Sequence, residues 1–93
     1  DPARVEAMRR AGELIAVREP GAAEWLYPAW QLAGWRPRPG VARIVAAARE
    51  AGIGEQRLFD VLTAPLGLRA GRRLADLVRE GREDEVVRAL RAA

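Results

Sequence analysis

Nine glycines and six prolines are spread along the whole of this 93-residue chain, so every apolar-periodic stretch meets a breaker after a few turns. Only short elements fit between them. Asp1-Pro2 is a plausible N-cap and first helical residue, after which Val5, Met8 and Ala11 share one side of a short helix stopped by Gly12. Glu13 to Glu19 holds the compact apolar run Leu14-Ile15-Ala16-Val17. Pro20-Gly21 then supplies turn chemistry, and Glu24 to Tyr27 returns through Trp25, Leu26 and Tyr27. This pattern predicts a two-stranded hairpin, closed by Pro28. Two strands alone are marginal in water, so the hairpin must lie against helices.

Ala29 to Ala33 has room for one helical turn before Gly34 to Gly40, whose two further prolines and bulky Trp35 mark a loop. Helical spacing then resumes. Val41, Ile44, Val45 and Ala48 recur at three and four residues up to Gly52, and Leu58, Val61 and Leu62 do so between Gly54 and Pro65. A loop containing Gly67 and Gly71 separates these from a short helix around Leu74, Leu77 and Val78 that ends at Gly81. The last helix starts in Glu83-Asp84-Glu85 and finishes in Arg88 and Arg91, the polarity a helix dipole favours, with Val86, Val87 and Leu90 inward. The expected fold is therefore mainly α: an N-terminal helix and a wing-like two-stranded β-hairpin, followed by a small bundle of about four helices. Residues 1–30 form the helix-and-hairpin unit and residues 31–93 the helical unit. A chain this small buries only about 60–65% of its unfolded surface. Trp25, Trp30 and Trp35 are accordingly expected to carry much of the core.

Composition then narrows the chemistry. All 16 cations are arginine, against 13 carboxylates, and Lys, His, Cys, Ser and Asn do not occur. Without Cys or His there is no thiolate or imidazole metal site, no Ser/His or Cys/His nucleophile pair, and no group that titrates near neutrality unperturbed. The chain is expected to be a binding module rather than an enzyme, with no cofactor and no metal. Thr63 reads as a capping residue near a helix end, since only a carboxylate or the chain amine is at hand to activate it. No apolar run approaches bilayer length and Asp1-Pro2 does not open a secretory leader, so the expected address is cytoplasmic, away from membranes.

Three clusters are candidates for contact with a partner. Arg4, Arg9, Arg10 and Arg18 lie on the first helix and the strand after it; a basic helix followed by a hairpin is the terminal half of a winged helix-turn-helix, while the alternative is a solvated face broken by Glu6 and Glu13. Arg69, Gly71, Arg72 and Arg73 open the densest basic stretch, suited to an anion or partner unless Arg72 and Asp76 pair locally at i,i+4. The rings of Trp25, Tyr27, Trp30 and Trp35, interleaved with Arg18, Arg36 and Arg38, suit either a stacking platform for single strands or the joint between hairpin and helices. Packing is the commoner use of such a cluster. Trp35 stands apart, because its loop favours exposure and an exposed Trp favours interfaces.

Glu13 to Arg18, Leu26 to Leu32, Pro39-Gly40-Val41, Thr63 to Leu77, Gly81 and Val86-Val87, taken in that order, resemble the bacterial antitoxin Xre/MbcA/ParS toxin-binding domain proteins. The resemblance covers roughly residues 12–93, with Leu74 standing where the family usually has proline. It implies a DNA-binding part on the N-terminal side, with the chain beginning inside it, and a helical part that forms a homodimer or binds a toxin encoded alongside. By position it places Arg4, Arg9 and Arg10 on the helix nearest double-stranded DNA, Arg18 on the wing strand, and Gly71-Arg72-Arg73 in the loop before the family's short helix. Arg69 and Trp35 complete the expected partner-binding set.

Overall fold

A computed structural model describes residues 2–66 and 69–92, except for the side chains of residues 69 and 70. Asp1 and Gly67, expected at the first helix cap and in the second loop, lie outside the described residues.

The chain is mainly helical, with an N-terminal helix, a two-stranded hairpin and four further helices. Helix α1 (Pro2–Arg10) leads through an extended segment and a 3-10 turn (Ala29–Gln31) into β1 (Leu32–Ala33) and β2 (Arg36–Pro37). Helices α2 (Val41–Glu50) and α3 (Glu55–Thr63) follow, then β3 (Pro65–Leu66), β4 (Arg69–Arg73), α4 (Leu74–Arg79) and α5 (Glu83–Ala92). Among the described residues, no helix is long and apolar enough to cross a membrane.

The four rear helices follow the expected periodicity. Val41, Ile44 and Val45 of α2, Leu58 and Leu62 of α3, Leu74, Leu77 and Val78 of α4, and Val86, Val87 and Leu90 of α5 form one buried cluster. Helix α5 lies along α2, and α4 packs against α3, α5 and the 3-10 turn. Three helices stop in the same way. After α1, α2 and α4 the chain turns at Gly12, Gly52 and Gly81, all with positive φ. The next amide reaches back five residues, as in Arg82 to the Leu77 carbonyl at 2.8 Å, which satisfies carbonyls a helix end leaves open. Thr63 donates its hydroxyl to the Phe59 carbonyl at 2.8 Å, inside the last turn of α3.

The front of the molecule departs from the expected layout. The ladder predicted between Glu13–Glu19 and Glu24–Tyr27 shrinks to one bridge, in which Val17 and Leu26 exchange amide–carbonyl bonds of 2.9 and 2.7 Å. In that register Pro28 would face Ile15, and proline has no N–H to give. Gln31 takes the place instead. Its side-chain Oε1 accepts from the Ile15 amide at 2.7 Å and its Nε2 donates to the Ile15 carbonyl at 2.8 Å, so a buried side-chain amide imitates the missing strand partner. Ile15, although ahead of the residue 30/31 division, thereby joins the rear core.

The hairpin forms one step later, where a loop was expected. Leu32 pairs with Pro37 and Ala33 with Arg36, and the Arg38 amide closes the base on the Gln31 carbonyl at 2.8 Å. A second antiparallel pair, Pro65 with Arg73 and Leu66 with Arg69, occupies the stretch where sequence predicts only a loop before the short helix.

The tryptophans do not fill the core. It is built of Ile, Leu, Val and Ala, because four amphipathic helices already supply enough apolar side chains to one another. Trp30 packs against it only in part, Trp25 sits under arginine, and Trp35 is exposed.

Candidate functional site

The β1–β2 turn has only two central residues, Gly34 and Trp35. Gly34 adopts φ +67°, and no non-glycine residue among those described has positive φ, which is the pattern of a II′ hairpin turn. A side chain at Gly34 would strain that turn; Trp35 beside it is unrestricted. The result is a short, two-residue turn that holds Trp35 99% exposed. Its base is anchored twice, by the Gln31 clip and by Arg38, whose Nε donates to the Trp30 carbonyl at 3.3 Å.

Helix α1 passes beside this turn and leaves a groove between them. Val5 and Met8 of α1 face Pro37, Pro39 and Trp35 across it, with Arg4, Arg36 and Arg38 as cations and Glu13 as the carboxylate. Arg4 and Arg36 make no ion pair among the described residues.

A second groove lies on the other flank of α1. There the structure brings Arg9, Arg10 and Arg18 together with Trp25 and Tyr27. The guanidinium carbons of Arg9 and Arg18 lie 4.1 and 4.6 Å from the Trp25 ring centre, both within cation–π reach. Arg9 is committed to this stack. Its side chain is only 12% exposed, and it sits 3.7 Å from both Glu6 and Glu55. Its Nε is buried without a partner among the described residues. Arg10 pairs with Glu6 at 2.7 Å. Of the four cations expected on one DNA-facing surface, Arg4 therefore lines one groove and Arg9, Arg10 and Arg18 line the other.

The second predicted cluster is engaged locally. Arg72 pairs with Glu80 at 2.9 Å rather than with Asp76, whose carboxylate meets Arg73 instead. Asp76 accepts the Arg73 amide at 2.9 Å and its guanidinium at 3.4 Å, so it holds the first turn of α4. These hydrogen bonds from Arg73, side chain first, keep the Asp76 carboxyl below the usual carboxylate range. Arg82 does the same for Glu85, and their pairing raises Arg82 in turn. Gly71 is exposed, with φ +87°, and the Arg69 side chain lies outside the described residues.

Sequence reasoning separated Trp35 from the other rings but missed Arg4, Arg36, Val5 and Met8 as its neighbours. The available signal was the Gly-Trp pair between Ala33 and Arg36, a hairpin-turn dipeptide that the surrounding prolines concealed. Among the described residues no group of three or more carboxylates is placed to hold a metal ion. Comparison with protein-family models, with curated proteins and with solved structures found no match.

Proposed function

We propose that this chain is the partner-holding part of an antitoxin-like, DNA-binding regulator, in which the helical body and the front groove bind protein and α1 contributes phosphate contacts. The observation that carries the reading is Trp35, 99% exposed on a two-residue turn beside Arg4 and Arg36, which make no ion pair among the described residues. A large ring held in water resembles the Trp and Arg anchors of protein interfaces. The order of sequence segments supplies the antitoxin-like part of the reading, and the partner is then a toxin encoded beside it, bound by a monomer or a homodimer.

For DNA, the exposed cations are Arg4, Arg10 and Arg18, of which Arg10 would exchange its Glu6 pairing and Arg18 its stack on Trp25 for phosphate, with Arg9 holding the helix in place. A labelled duplex titrated at two ionic strengths tests this, because each neutralised phosphate steepens the loss of affinity with salt. Binding that falls steeply with salt and weakens on Arg10→Glu supports the DNA part. Absent or salt-indifferent binding removes it.

One observation favours a protein-interaction module without DNA binding: the cations of α1 are divided between two grooves. Co-expression with the product of the adjacent gene, followed by size-exclusion chromatography, tests the shared element of both readings. A stable complex that Trp35→Ala weakens is the expected result. A strictly monomeric chain that forms no complex overturns it.

A further inference from the structure

The groove between α1 and the β1–β2 turn is more specific than a generic partner surface. We infer that it docks an acidic segment of a partner protein, with carboxylates on Arg4 and Arg36 and an apolar side chain against Val5, Met8 and Trp35. This rests on the partner-holding reading above and adds the chemistry of what is held.

Charge sets the sign of the ligand. Arg4, Arg36 and Arg38 outnumber Glu13 on the lining, and the guanidinium groups of Arg4 and Arg36 have no carboxylate partner among the described residues. A planar guanidinium left in water at the edge of an apolar floor is suited to a bidentate carboxylate. Shape and polarity then choose protein over nucleic acid. Val5, Met8, Pro37, Pro39 and Trp35 line the groove together with arginine, the mixture of apolar, aromatic and Arg side chains typical of protein interfaces. The three arginines would serve phosphate as well as carboxylate, so the choice rests on the apolar lining and on Glu13, which a phosphodiester run would have to pass. Of the three tryptophans only Trp35 is open for stacking, because Trp25 is occupied by Arg9 and Arg18 and Trp30 packs on the core. A strand-binding surface uses successive rings.

The test is fluorescence anisotropy of the full chain with three labelled probes. They are a short peptide mixing Asp and Glu with Leu and Phe, the same peptide with Asn and Gln in place of the acids, and an oligothymidine. The acidic peptide is expected to bind best, losing about 10-fold or more in affinity with Trp35→Ala, and a similar factor with Arg36→Glu, as for other interface anchors. Arg36→Gln is expected to fall between wild type and Arg36→Glu. Trp35 and Arg36 are exposed, so unchanged thermal melts will confirm that the variants fold. The inference is overturned by an uncharged peptide that binds equally well, by tighter binding of the oligothymidine, or by variants that leave peptide affinity unchanged. A complex with the gene neighbour that survives both substitutions sinks the groove and keeps the partner-holding reading; wild type that binds neither peptide nor neighbour sinks both.

Discussion

The rear helices and the front of the molecule are held by different forces. Helices α2 to α5 bury Val41, Ile44, Leu62, Val78, Val86 and Leu90 essentially completely, so removal of apolar surface from water dominates there. Helix α1 buries no residue. It is tethered by the Arg9 stack on Trp25, the Arg9–Glu55 approach and a 3.5 Å bond from Arg49 to the Arg10 carbonyl, while the segment behind it hangs on Gln31. The lesson is that the body is stabilised by many interchangeable contacts and the front by a few specific ones. Deleting one group therefore means different things in the two regions.

Leu90→Ala will cost the most, about 2–5 kcal/mol in urea denaturation, because it opens a cavity in a fully packed site. Gln31→Leu should come next, at about 2–4 kcal/mol, since it strips both partners from the buried amide and carbonyl of Ile15. A cost below that of an ordinary surface substitution would erase the distinction drawn between front and body. Arg9→Met retains much of the aliphatic stem but not the charge, and should cost about 1 kcal/mol. Its sharper signature is faster amide exchange in α1 with the rear helices unchanged; uniform acceleration would show the two regions to be one cooperative unit.

Acid will have the smallest effect, and it belongs to the rear. Asp76 and Glu85 have folded-state values lowered by Arg73 and Arg82, so each contributes stability above its unfolded value. That contribution fades as pH falls through the lower, folded value, in the region below about pH 4. Asp76→Asn should flatten this part of the pH–stability profile while leaving neutral-pH exchange in α1 untouched.

Legibility followed the same division. The rear helices were readable because Val41, Ile44 and Val45, or Val86, Val87 and Leu90, carry their period within one element, and Gly52 and Gly81 stop those helices by local geometry. The candidate groove was only half readable. Trp35 could be singled out from its Gly- and Pro-rich surroundings, yet its pairing with Val5 and Met8 spans elements about thirty residues apart, which no local pattern encodes. The hairpin across Glu13 to Tyr27 looked convincing because an apolar run, Pro-Gly turn chemistry and a returning aromatic segment stand in order. It failed because the decisive competitor for the Ile15 backbone was a side chain 16 residues away.

Sequence by itself determined the short-helix architecture, the polarity of α5 and the lack of Cys, His and Ser, since these depend on period, capping and inventory. Tertiary structure alone decided where the hairpin closes, which residues neighbour Trp35, and how the arginines divide between two grooves. Those outcomes turn on competition between distant groups for a few backbone bonds and ring faces, and such a competition is settled only when the chain brings all the contenders into one place.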